Sequence, residues 1–154
     1  MLRVIEHIAE KEQITNRILR DLPEWFGIES AIKQYVNTVG PMHMIVYEAD
    51  GGVVGFSVLK THNEHAGEIY VTGVLKPYHR RGIGRKLING HIDEAKKRNL
   101  KFLQVKTLSE KRDDEAYRKT RAFYAAMGFY PLEVFETLWD EANPCLISVM
   151  WLGG

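Results

Sequence analysis

A chain of 154 residues, 45% hydrophobic and 27% charged, has the length for one domain around one core and the composition of an ordinary soluble protein. Its formal net charge of +1 gives no global attraction to nucleic acid or to a membrane surface, so neither is expected as a partner. The single cysteine, Cys145, excludes an internal disulfide and a cysteine-based metal site, and no apolar run reaches the length of a bilayer. Residues 1–13 are charged and carry no apolar stretch of the signal-peptide kind, so a cytoplasmic location is expected.

Residues 2–8 alternate loosely and predict a first strand. Ile14, Ile18, Leu19 and Leu22 mark an amphipathic helix that Pro23 closes. Pro23-Glu24-Trp25-Phe26-Gly27 is a loop with two large aromatics, a kind that fills cores more often than it lines ligand sites. Ile32, Tyr35, Val36 and Val39 predict a short second helix ended by Gly40-Pro41. Strands at 42–49 and 53–60 flank Asp50-Gly51, a hairpin turn in which both residues tolerate positive φ. A polar loop, 61–67, leads to a strand at 68–74. Gly73 inside that strand predicts a bulge or a close approach of another backbone.

The next stretch organises the chain: Leu75-Lys76-Pro77-Tyr78-His79-Arg80-Arg81-Gly82-Ile83-Gly84-Arg85-Lys86-Leu87. Pro77 ends the strand ladder, and Leu87, Ile88, Ile92 and Ala95 fall at the spacing of one helical face. Between strand and helix lies a basic loop with two glycines, opening onto unpaired helix N–H groups, which is a place that attracts phosphate. Residues 76–86 carry six Lys, Arg or His side chains and no acid. Gly84 is followed by Arg85-Lys86 rather than Lys-Ser/Thr, which argues against a nucleotide triphosphatase, and the three-glycine dinucleotide fingerprint is also missing.

The helix closes on Lys96, Lys97 and Arg98, and a strand at 102–108 follows. Asp113-Asp114-Glu115 places acids at the start of another helix, along which Ala116, Thr120, Phe123 and Met127 share a face and which Gly128 caps. Strands at 129–137 and 145–152 close the chain, joined by 138–144. The predicted order is β-α-α-β-β-β-α-β-α-β-β: a mixed α/β fold with a twisted central sheet flanked by helices, forming one domain over residues 1–154.

His79-Arg80-Arg81-Gly82-Ile83-Gly84 resembles motif A of the GNAT superfamily of N-acetyltransferases, Gln/Arg-x-x-Gly-x-Gly/Ala, with His79 where Gln or Arg is usual. Tyr117-x-x-Thr120-x-x-Phe123-Tyr124-x-x-x-Gly128-Phe129 is similar to its motif B, with Tyr117 and Thr120 where Asn and Ala are frequent. The element order is also that of the family, so the resemblance covers essentially the whole chain. It implies a sheet splayed between its fourth and fifth strands, with acetyl-CoA as cosubstrate and its pantetheine arm in the gap. The backbone of Thr72, Gly73 and Val74 would contact pantetheine and the thioester. The pyrophosphate would lie on the amides of His79, Arg80, Arg81, Gly82, Ile83, Gly84 and Arg85.

The implied chemistry is direct transfer of an acetyl group to a primary amine. An alkylamine with a pKa near 10.4 is mostly protonated at neutral pH, so a base is needed. Glu68, placed at the opening of the motif A strand, is the candidate by resemblance to the histone-acetyltransferase branch; His43, His62 and His65 are substitutes. Tyr124 is the candidate acid for the leaving thiolate. Residues 122–154 carry four acids and no Lys, Arg or His. That suggests a cationic acceptor bordered by Asp140 and Glu141, with Trp25 and Phe26 as further candidate substrate contacts. The His residues form no convincing ligand cluster, so no metal is expected. A catalytically silent acyl-CoA sensor of the same fold is the alternative; a homodimer and the identity of the amine both remain open.

Overall fold

The computed structural model describes residues 1–153. Among these, β1 (Leu2–Ile5), α1 (Ile8–Arg20), α2 (Glu29–Thr38), β2 (His43–Ala49), β3 (Gly52–Thr61), β4 (Ala66–Val74), α3 (Ile83–Lys97), β5 (Phe102–Leu108), α4 (Glu115–Met127), β6 (Tyr130–Asp140) and β7 (Asn143–Trp151) follow in the predicted order. A single 3-10 turn, Lys76–Tyr78, precedes α3. The strands form one sheet in the order β1-β2-β3-β4-β5-β7-β6. Every pairing is antiparallel except β4 with β5.

The two faces of the sheet carry separate cores. Ile14, Ile18 and Leu19 of α1 and Ile32 of α2 pack on Val46, Phe56, Val58 and Val71. On the opposite face Ile88 and Ala95 of α3 and Tyr124 of α4 pack on Leu59, Ile69, Leu103 and Val105. Ile69 and Val71 are two residues apart in one strand, and strict alternation would put both on one face. They serve different cores because Tyr70 is an extra residue in β4: Val58 pairs with Val71 and Leu59 with Ile69. The bulge expected at Gly73 therefore sits at Tyr70. Gly73 is demanded by close approach instead, of side chains rather than another backbone. A Cβ there would meet Ile18 at 3.0 Å, Leu22 at 3.1 Å and Phe56 at 3.2 Å.

Several boundaries differ from expectation. The first strand stops at Ile5, and Ile8 already begins α1. Helix α1 ends at Arg20, before Pro23. The last two strands meet in a short turn at Glu141 and Ala142, with Leu138 and Trp139 inside β6. Those two side chains are apolar yet exposed, and they lie in the irregular stretch between the Phe135–Cys145 and Asp140–Asn143 pairs.

Parallel pairing of β4 with β5 covers only Ala66–Ile69 against Phe102–Val105. Beyond it the two strands part, and their diverging ends form one wall of a cleft of about 820 Å³. This is the splay expected between the fourth and fifth strands.

Candidate active site

Where β4 ends, the chain turns through Arg80 at φ 64° and Gly82 at φ 77°, both left-handed, and then enters α3. Gly82 is the helix N-cap and offers no side chain, so nothing shields the first amides. The first helical bond is donated by Lys86 N to Gly82 O at 3.1 Å, which leaves the N–H groups of Ile83, Gly84 and Arg85 without helical partners. These amides and Arg80 and Arg85 line the cleft. Arg81 is turned to one side, its guanidinium 5.1 Å over the Tyr78 ring, and the Tyr78 hydroxyl donates to Asp50 Oδ2 at 2.6 Å. The His79 ring bends back and donates from Nε2 to the Val74 carbonyl at 2.5 Å.

The opposite wall is α4, started by Asp114, whose Oδ1 accepts from Tyr117 N at 3.0 Å; such a cap is worth about 1 kcal/mol. Thr120, Phe123 and Tyr124 face the cleft from this helix, opposite Thr72, Gly73 and Val74 of β4. Phe123 lies where a Cβ on Gly84 would come within 3.3 Å, so motif A and motif B touch through the missing side chain. Tyr124 is buried, with the Thr72 side chain at its hydroxyl, and burial pushes its phenol up to about 12. Thr72 also bonds Ser57 at 2.7 Å. Thr107 of β5 has a buried hydroxyl with no partner among the described residues.

Glu68 is not at the opening of its strand but third in it, 2% exposed. Its Oε1 accepts from His62 Nε2 at 2.6 Å, Gln104 Nε2 at 3.2 Å and Lys106 Nζ at 3.3 Å. Among the described residues no hydrogen bond uses Oε2, so that oxygen keeps its lone pairs. Lys106 belongs to the cleft lining, which places the carboxylate just behind the cleft wall. The lone Cys145 is buried, its thiol pushed up to about 11 chiefly by that burial, and is inert in this state.

Not every expected residue gathers here. Trp25 and Phe26 do line the cleft. Asp140 and Glu141 sit on the exposed tip of the β6–β7 hairpin, where Asp140 Oδ1 accepts from Asn143 Nδ2 at 2.8 Å; neither is part of the cleft lining. Of the substitute bases, His62 joins Glu68, His65 is exposed beside Glu64, and His43 packs edge-on against His91 at 5.9 Å on α3. Sequence reasoning passed over Gln104 and Lys106. Their signal was the alternation of β5, in which they punctuate Leu103 and Val105 on the face away from α4. Among the described residues no group of three or more His, Cys, Asp or Glu side chains is placed to hold a metal ion.

Comparison with known proteins agrees with this geometry. Residues 40–131, more than half of the chain, match the family described as acetyltransferase (GNAT) domain. A mycothiol acetyltransferase from Thermomonospora curvata is 27% identical over 120 residues; the match spans 76% of this chain and 38% of that protein. The chain therefore covers well under two thirds of that curated relative's length. Among solved structures, a GNAT family acetyltransferase from Elizabethkingia anophelis with acetyl-CoA bound superposes with a TM-score of 0.73 at 17% identity, covering 97% of each chain. The ribosomal-protein-S18-alanine N-acetyltransferase of Escherichia coli gives 0.78 at 15% identity, covering 100% of this chain and 96% of that one. On the family match, the fold and the paired motifs, the chain belongs to the GNAT acetyltransferase family.

Proposed function

We propose that the protein is an acetyl-CoA-dependent N-acetyltransferase that passes the acetyl group directly to a primary amine. One observation carries the reading: the cleft joins an anion-binding helix start to the open, diverging end of β4, with Tyr124 at one wall and Glu68 behind it. The residues fit the cosubstrate. Free amides of residues 83–85 and the guanidinium groups of Arg80 and Arg85 suit a pyrophosphate. The unpaired stretch of β4 suits an arm that pairs with backbone, as a peptide adds to a sheet edge. When bound, acetyl-CoA supplies the acetyl thioester.

The chain's own residues supply the rest. Glu68 Oε2 takes the proton that the ammonium of the acceptor must lose, while Lys106, His62 and Gln104 hold Oε1 in place. The carboxylate also gives a cationic acceptor its counter-charge. As the N–C bond forms and the C–S bond breaks, Tyr124 presents its hydroxyl proton to the departing sulfur. A phenol is already protonated at neutral pH, as an acid must be, and burial raises it further.

Titration calorimetry with acetyl-CoA tests the placement. At Gly82 an added Cβ meets no protein atom within 4 Å, so a Gly82→Val side chain projects only into the space assigned to the pyrophosphate, although φ 77° strains it. Affinity is expected to fall at least tenfold. A folded variant that binds as tightly as wild type would move the site elsewhere.

A further inference from the structure

With motif A, Thr72–Val74 and α4 assigned to the cosubstrate, the cleft lining keeps Phe26, Tyr70 and Lys106 for the acceptor. These residues lead to Glu68. Lys106 Nζ is 3.3 Å from its Oε1, on the face of the sheet turned away from α4. Tyr70 follows Glu68 by two residues, and the bulge in β4 lets it pack beside Val71 on the core under α1 and α2. Tyr35 of α2 touches both remaining rings edge-on, Phe26 at 6.1 Å and Tyr70 at 5.2 Å between centroids. The Tyr70 hydroxyl is already bonded to the Thr38 hydroxyl at 2.8 Å, so what Tyr70 offers the cleft is its ring.

Charge narrows the acceptor further. The acids in the cleft lining are Glu24 and Glu115, and both are spent: Glu24 pairs with Lys76 at 2.8 Å and Glu115 with Arg118 at 2.5 Å. Arg80, Arg85 and Lys119 line the cleft with no ion pair among the described residues. Near Glu68 stand two more cations, Lys106 and Lys60, the latter with Nζ 5.3 Å over the Tyr70 ring. One ammonium can meet the free Oε2 of Glu68. A second or third would face uncompensated positive charge, which rejects it.

We propose that the acceptor is an arylalkylamine: a primary monoamine whose flat aromatic ring packs on Phe26 and Tyr70 while its single ammonium reaches Glu68. This rests on the reading of the cleft as an N-acetyltransferase site. Aromatic pairs in offset or edge-to-face contact are favoured beyond the area they bury, so the site distinguishes an aromatic ring from a saturated ring of the same carbon count.

Steady-state rates with acetyl-CoA test this on four acceptors: 2-phenylethylamine, 2-cyclohexylethylamine, spermidine and kanamycin. In wild type, kcat/KM for phenylethylamine should exceed that for cyclohexylethylamine roughly threefold to tenfold. Spermidine and kanamycin should fall at least a hundredfold below phenylethylamine. Phe26→Leu and Tyr70→Leu keep apolar bulk and remove a ring, so each should bring the phenyl-to-cyclohexyl ratio toward one. That ratio is taken within one protein, so partial unfolding of a variant does not move it. A ratio of one in wild type, a ratio that both variants leave unchanged, or faster acetylation of spermidine or kanamycin would overturn the aryl acceptor while leaving the transferase intact. No acetylated product from any of the four, or from a broader amine panel, would instead strike the transferase reading and the acceptor with it.

Discussion

One tyrosine and one histidine show how burial sets chemistry. With an ordinary phenol near 10 and thiol near 8.5, proton transfer from tyrosine to a CoA thiolate costs about 2 kcal/mol; at a phenol near 12 it costs about 5. Tyr124 therefore acts first as a hydrogen-bond donor to developing negative charge and gives up its proton late. Tyr124→Phe keeps the ring and removes the proton, so kcat should fall by 10²–10⁴-fold with acetyl-CoA affinity little changed. If turnover survives and only the melting temperature drops, the residue is core packing. His91 is fully buried on α3; the Ser57 backbone lies beside its ring, but no hydrogen bond of ordinary geometry to either ring nitrogen forms among the described residues, and burial pushes it down to about 3. Its folded value lies below the unfolded value near 6.5, so the unfolded chain takes up the proton first. Stability is whole above pH 6.5 and is lost as pH falls toward 3, by up to about 5 kcal/mol. Urea unfolding across that window should show the slope in wild type, and His91→Leu should flatten it.

At the scale of elements, β4 is where one strand serves two faces and a cleft. Its bulge turns Ile69 toward α3 and α4 and Val71 toward α1, and its far end leaves β5. Gly73 lets α1 settle against that end, so Gly73→Ala should overpack the Ile18, Leu22 and Phe56 contact and cost about 1–3 kcal/mol in chemical denaturation. A cost near zero would mean that α1 gives way freely there. Much of this level was legible in the sequence. Asp50 and Gly51 at φ 53° and 82°, Gly82 at 77° and Gly128 at 103° are the turn, helix start and helix cap that their residue types announced. The bulge at Tyr70 was not legible, because it is a property of register against β3 and not of β4 alone. Leu138 and Trp139 read as loop for a related reason: β6 extends over them only because Asp140 pairs with Asn143 beyond an irregular stretch.

For the whole molecule, the sheet order brings together residues that no local pattern connects. Glu68 was visible through its place before motif A. Its partners come from the β3–β4 turn and from β5, some six to thirty-eight positions away, and only the fold assembles them. The cleft likewise needs motif A, motif B and the α1–α2 connection, three segments that meet because β4 and β5 are neighbours. The account turns on whether this assembly transfers an acetyl group to nitrogen. Incubation with acetyl-CoA and a panel of primary amines, read by mass spectrometry of the products, measures that directly. The expected result is at least one amine carrying an added acetyl group on nitrogen, formed with equimolar thiol release and at least a hundredfold more slowly by Glu68→Gln. Tight acetyl-CoA binding with no acetylated amine from a broad panel would contradict transfer and leave a protein that only binds the cofactor.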